Sequence, residues 1–172
     1  GLYNLVTRDL DDEVVPLCSE KGLGMVAWGA LAGGFLSGKY KPGQRSIDGT
    51  RSAGGLVFPR NYFAPNADEI LATLNDVSQD VGRSPAAVAI NWLIRQKYIT
   101  SALVGARNRV QLEENLKATN WILDKSLLDR LNTVSMPADR FPYSMEKGCF
   151  ARRKNAVQMP SLGVESTESD TL

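Results

Sequence analysis

Gly105-Ala106-Arg107-Asn108 lies where an apolar run, Ile99 to Val104, feeds a helix-patterned segment. A helix starting there offers unpaired backbone N–H groups at its N-terminus, which suit a phosphate. Arg107 adds a fixed positive charge whose forked guanidinium matches phosphate oxygens. Gln111, Glu114 and Asn115 follow at i, i+3 and i+4, on one helix face. That face suits the polar edge of a base, and equally suits solvent beside a capped helix. A second segment, Gly33 to Tyr40, has the G-x-x-x-x-G-K spacing of a phosphate-binding P-loop. It departs at Tyr40, where a magnesium-ligating hydroxyl of Ser or Thr is required. Pro42 and Gly43 also break the helix that should run on from Lys39. Nucleotide hydrolysis at a P-loop is therefore set aside. The glycines still let backbone approach a ligand and turn N–H groups toward an anion, although a loop without a ligand reads the same way. Trp28 ends the apolar run Met25 to Ala27 beside this loop. Its ring there suits stacking on a planar cofactor, or packing in the core. Tyr3 and Asn4 end an earlier run in the same manner, with a weaker signal.

Composition narrows the chemistry. The chain has 172 residues, 20 Lys plus Arg against 19 Asp plus Glu, and a net charge of +1. That balance argues against a nucleic-acid surface. Histidine is absent, so no imidazole base, relay or metal ligand exists within this chain. Cys18 and Cys149 form no CxxC motif, and the expected setting is reducing and cytoplasmic. Cys18 falls on the apolar side of a helix and reads as packing. No apolar run approaches the roughly 20 residues of a membrane span. The chain opens on Gly1-Leu2-Tyr3-Asn4 rather than on Met and is expected to be a piece of something longer.

The elements that must position these residues follow from periodicity. Leu2 to Val6 reads as a buried strand. Asp9 to Glu13 is an acidic helix start, with Leu10, Val14, Leu17 and Cys18 at helical spacing and Gly22 and Gly24 as its end. Met25 to Trp28 is apolar throughout, as expected of a parallel strand covered on both faces. Gly29 to Pro65 is a long glycine-rich stretch, a length that in domains usually serves function or motion. Ala67 to Val81 predicts an amphipathic helix through Ile70, Leu71, Leu74 and Val77. Ser84 and Pro85 predict an N-cap and first turn before a deeply packed helix, Ala86 to Ile94. Ile99 to Val104 is the third strand. Asn108 is an N-cap candidate, followed by a helix through Leu112 and Leu116. A last helix starts at Leu123-Asp124-Lys125-Ser126, runs through Leu127, Leu128, Leu131 and Val134, and stops before Pro137. Arg152-Arg153-Lys154 is a small basic cluster read as solvated surface. This order is α/β, with about three parallel strands and outer helices. Three parallel strands cannot close a barrel, and their open edges favour self-association.

The segments Tyr3-Asn4-Leu5, Val26 to Tyr40, Ser84 to Trp92, and Val104 to Asn108 through Gln111 to Leu116 together resemble the aldo-keto reductase family over roughly residues 1 to 136. The resemblance implies the C-terminal part of a (β/α)8 TIM barrel that binds NADP(H) in extended form and reduces aldehydes or ketones. It implies that residues 1–136 are this barrel part and 137–160 a C-terminal loop segment, while 161–172, rich in Ser, Thr, Glu and Asp, reads from its composition as a disordered tail. By position, Trp28 stacks on the nicotinamide. Gly29, Ala30, Leu31, Gly33, Leu36 and Gly38 belong to the loop crossing the pyrophosphate. Gly105, Ala106 and Arg107 surround the adenosine 2′-phosphate, with Gln111 near it, and Glu114 and Asn115 meet the adenine. Arg107 favours NADP over NAD by charge complementarity. The family's Tyr proton donor and its Lys, Asp and His partners belong to earlier strands, so no catalytic residue is assigned within this chain. The alternative is a non-catalytic nucleotide-binding or interaction module, since some members of the family are channel-associated subunits. The substrate of the complete enzyme would be a small carbonyl compound. The aromatics Phe141, Tyr143 and Phe150 either shape its pocket or pack on the outer helices.

Overall fold

The computed structural model describes residues 1–44, 66–138 and Met145. Gly1–Pro137 forms one compact unit, and Ala138–Leu172 falls in a second. Expectations for the tail, the basic cluster, Cys149 and the C-terminal aromatics lie outside the described residues.

Two strands, β1 (Met25–Ala27) and β2 (Ile99–Ala102), pair in parallel. The register sets Val26 opposite Ser101 and Ala27 opposite Ala102, with an irregularity between Met25 and Val26. The chain between them forms helices, as a parallel connection requires. Chain order and parallel pairing are those of a partial barrel.

The expected first strand, Leu2 to Val6, is not a full strand. It makes one parallel bridge, Leu2 to Trp28, and then turns. Asn4 drives the turn: its Oδ1 accepts from the Val6 N–H at 2.9 Å, and Asn4 and Thr7 exchange two backbone hydrogen bonds. A short polar side chain that bonds its own backbone two residues on competes with a sheet ladder. Coverage of β1 also differs from expectation. Met25 and Ala27 are buried, but Val26 is 48 % exposed and Trp28 52 %. Successive strand residues face opposite sides, so the described residues cover one face of this sheet and leave the other open.

Helix α1 (Val14–Lys21) starts later than the acidic run suggested. Asp9–Asp11 forms a separate 3-10 turn, and the Asp11 carboxylate is drawn back to Arg8 Nε at 2.7 Å and the Tyr3 hydroxyl at 2.5 Å. Cys18 is buried on α1, but Leu17 on the expected apolar side is half-exposed. Gly22 ends the helix in the left-handed region (φ 65°).

Helices α2 (Ala67–Asp80) and α3 (Pro85–Ile94) match their sequence signals. Ile70, Leu71, Leu74 and Val77 of α2 are buried, and every residue from Ala86 to Leu93 of α3 is buried. Ser84 caps α3 by accepting the Ala87 N–H at 3.2 Å. Asn91, the one polar residue in this apolar run, donates to the Ala118 and Trp121 carbonyls and accepts from the Leu123 N–H. It therefore fixes the connection between α4 (Arg109–Leu116) and α5 (Lys125–Val134). Helix α4 departs from expectation, because Leu112 and Leu116 are exposed and Asn115 is its buried residue. Leu131 anchors α5 in the core, with Leu127, Leu128 and Val134 partly buried against it.

Trp92 is fully buried, stacks on Tyr3 at 5.9 Å and donates its indole N–H to Asn132 at 2.8 Å. Arg8 sits 5.8 Å from the Trp92 ring and donates to the Asn132 carbonyl at 3.0 Å. The first turn of the chain is thereby tied to α5. Among the described residues, no helix is long and apolar enough to cross a membrane.

Candidate functional site

The parallel pairing sets the carboxyl ends of β1 and β2 side by side, and the Ala27 carbonyl accepts from the Leu103 N–H at 2.7 Å. In parallel α/β folds, ligands sit at these strand ends. Trp28 leaves β1 here. Its backbone is held on both sides: its N–H donates to the Gly1 carbonyl at 2.9 Å, and its carbonyl accepts from the Tyr3 N–H at 3.3 Å. The ring itself stands half in solvent, so Trp28 is not a core residue. Tyr3 is the opposite case. It is 2 % exposed, and its phenol is held well above the usual range, first by burial and then by its hydrogen bond to Asp11. Asn4 is also buried and donates to the Gly29 carbonyl at 3.0 Å, so it steadies the turn after Trp28.

The loop then runs through a 3-10 segment, Ala32–Ser37, interrupted at Gly33 (φ 65°) and Gly34 (φ 108°). A Cβ at Gly34 would meet nothing within 4 Å, so backbone is open there. Ala30 and Leu36 are buried, and Leu31 is partly buried against the core. Buried side chains at Ala30 and Leu36 leave main chain as what these positions can offer a ligand. Gly38 (φ 83°) closes the segment, and a Cβ on it would lie 2.8 Å from Pro85 Cγ at the start of α3. Tyr40 is buried against Phe35, with ring centroids 5.3 Å apart.

Beyond β2, Gly105, Ala106 and Arg107 are exposed, and a Cβ at Gly105 would also meet nothing within 4 Å. Three side chains organise this turn. Asn108 caps α4 by accepting the Gln111 N–H at 2.9 Å. Gln111 bends back so that its Oε1 accepts the Arg107 N–H at 3.0 Å. Asn115 donates to the Gly105 carbonyl at 3.3 Å. Gln111 and Asn115 thus hold the backbone that presents Arg107, whatever else they meet. Glu114 accepts from Ser84 Oγ at 2.6 Å and from Lys117 Nζ at 2.9 Å. Those two hydrogen bonds, Ser84's first, hold its carboxyl below the ordinary carboxylate range. Glu114 is therefore anionic near neutral pH.

The structure brings Trp28, the Gly29–Gly38 loop and the Gly105–Asn115 turn to the same strand ends. These groups fit an extended nucleotide: an exposed aromatic plane, open main chain at two glycines, an exposed guanidinium and a carboxylate acceptor. No group of three or more His, Cys, Asp or Glu positioned for a metal ion occurs among the described residues. Three supporting contacts were not readable from sequence: Asn4 on Gly29, Gly38 against Pro85, and Ser84 on Glu114. Ser84-Pro85 announces a helix cap, but one cap cannot disclose a second partner from a helix beginning 25 positions later (Ser84 to Arg109).

Comparison with known proteins identifies the family. The model of the aldo/keto reductase family matches residues 1–135. An uncharacterized oxidoreductase of Bacillus subtilis, YrpG, is 34 % identical over 132 residues, covering 77 % of this chain and 38 % of the relative. An L-glyceraldehyde 3-phosphate reductase of Escherichia coli O157:H7 is 35 % identical over 122 residues, covering 69 % and 35 %. A probable voltage-gated potassium channel subunit beta of Oryza sativa subsp. japonica is 32 % identical over 139 residues, covering 77 % and 42 %. The chain thus spans roughly two fifths of the length of these relatives.

Proposed function

The chain belongs to the aldo/keto reductase family, and from that premise we propose that it supplies the NADP(H)-binding portion of an oxidoreductase that reduces aldehydes or ketones to alcohols. The observation that carries this reading is the shared placement of Trp28 and Arg107 beyond the carboxyl ends of two hydrogen-bonded parallel strands. Trp28 stacks on the nicotinamide. Main chain at Gly29, Ala30, Leu31, Gly33, Leu36 and Gly38 lines the pyrophosphate. Gly105, Ala106 and Arg107 receive the 2′-phosphate, with Gln111 fixing the Arg107 backbone. Glu114 and Asn115 face the adenine. The bound dinucleotide supplies hydride, and this chain's residues hold and orient it. No catalytic proton donor is assigned to this chain's own residues. Residues 1–136 form the barrel part. The buried thiol of Cys18 fits a reducing, cytoplasmic setting.

Titration of the chain with NADPH and NADH, followed by tryptophan fluorescence, tests this. NADPH is expected to bind more tightly, and Arg107→Ala to weaken NADPH while leaving NADH unchanged. Absence of any binding, or equal loss for both cofactors, overturns the reading. A second reading, binding without turnover, is favoured by relatives named as channel beta subunits. NADPH binding with no oxidation on adding an aldehyde, in a preparation that includes the family's upstream strands, supports it. The open sheet face of Val26, Trp28 and Leu103 favours self-association of the chain on its own, which sedimentation reads directly.

A further inference from the structure

The corner that starts α3 touches both halves of the candidate site. Pro85 packs against Gly38 of the glycine loop, and Ser84 reaches Glu114 on α4. Ser84 has one hydroxyl proton. Its oxygen already accepts the Ala87 N–H, so a lone pair is committed to the helix cap. The proton is aimed at Glu114 Oε1, 2.6 Å away. Lys117 takes the other oxygen, Oε2, at 2.9 Å. A carboxylate held at both oxygens cannot rotate freely, yet each oxygen keeps a lone pair for a further donor. Of the two anchors, Lys117 is a long exposed side chain, 56 % accessible, and its ion pair is weakly defined. Ser84 is short and fixed by the first turn of a buried helix, so its bond is the one that sets the carboxylate plane.

We propose that Ser84 is a positioning residue for nucleobase recognition: through its hydroxyl it orients the Glu114 carboxylate to accept a hydrogen bond from the exocyclic amino group of adenine. The inference rests on the dinucleotide reading above and deepens it. It assigns to Ser84 a role distinct from capping α3. Selection follows from donor chemistry. Hypoxanthine carries a ring carbonyl where adenine carries its amino group, and two acceptors facing each other repel.

The test compares NADPH with its hypoxanthine analogue by fluorescence titration of the full chain. Wild type is expected to prefer NADPH by about tenfold, the scale of one charge-assisted hydrogen bond. Ser84→Asp keeps a good N-cap but donates nothing to Glu114 and sets a like charge beside it. Its preference should fall to within about twofold in a variant that circular dichroism shows to be folded, with the melting temperature lowered by the like charge. Ser84→Thr keeps both roles and should retain the wild-type preference. If wild type binds neither dinucleotide, the cofactor reading itself is wrong. If it binds both equally, or if Ser84→Asp keeps the preference, dinucleotide binding stands and the role of Ser84 is overturned. Loss of preference in a folded Ser84→Thr variant overturns it as well.

Discussion

Asn91→Leu removes a buried side chain of similar size from the middle of α3 and strips hydrogen bonds from a connection far along the chain. Three contacts disappear: donation to the Ala118 carbonyl at 2.7 Å, donation to the Trp121 carbonyl at 2.9 Å, and acceptance from the Leu123 N–H at 3.3 Å. They are not equal in consequence. The Trp121 carbonyl also accepts from Arg95 at 2.9 Å, so it keeps a partner. Ala118 and Leu123 are 0 % and 3 % exposed, which leaves water little access to their main-chain groups. A buried polar group left unpaired costs roughly 1–3 kcal/mol, so two of them give a loss of about 3 kcal/mol after allowing for the leucine's own apolar gain. With a urea slope of about 2 kcal/mol/M, the unfolding midpoint should fall by about 1.5 M at constant slope. Equilibrium urea unfolding followed by far-UV circular dichroism reads this directly. A midpoint within about 0.3 M of wild type would show that the connection after α4 is held by something other than Asn91.

Trp28→Ala should weaken NADPH binding about tenfold, since stacking on an aromatic plane is worth roughly 1–3 kcal/mol, while Trp28→Tyr stays within a few-fold; an unaffected Kd in the alanine variant would exclude the ring from the site. Gly38→Ala should lower the melting temperature, because position 38 has φ 83° and the added Cβ would sit 2.8 Å from Pro85 Cγ; a loss of about 1–3 kcal/mol is expected, and none would mean that the loop repacks freely. Stability should fall as pH rises beyond the ordinary phenol value of 10.0, because Tyr3 ionises in the unfolded chain there but stays protonated when folded. The unfolded chain then binds fewer protons, so the sign is destabilising, and Tyr3→Phe should flatten the alkaline limb of a pH-dependent melting series.

Helices whose stability is decided locally were legible in the sequence. The apolar rows of α2, the Ser84 and Asn108 caps and the all-round burial of α3 follow from spacing and side-chain chemistry. Features decided by competing side-chain hydrogen bonds or by cover from other segments were not. Leu2 to Val6 has strand composition, but Asn4 bonds its own backbone and turns the chain. Asp11 has a helix-start position, yet Arg8 and Tyr3 draw it away. Val26 and Leu17 are apolar and stand exposed, because hydrophobicity marks which residues seek cover and not whether the described residues supply it. The candidate site segments stand out in the sequence by their glycines, Arg107 and Trp28. Gln111, Asn115 and Asn4 proved to hold main chain, a role their spacing does not separate from ligand contact.

The β1–β2 pairing also constrains the order of assembly. Met25 and Ile99 come from distant parts of the chain, and the helices α2 and α3 lie between them in sequence. Closing so long a segment costs entropy before the first sheet hydrogen bond repays it, whereas α2 can dock on its sequence neighbour α3 at once. The helical pair is therefore expected to be the early species in refolding, and sheet closure the slower event. The strand ends that precede Trp28 and Arg107 come side by side only in that later event. During synthesis, β1 emerges well before its strand partner and has to wait for β2 with the main-chain groups of that edge unpaired.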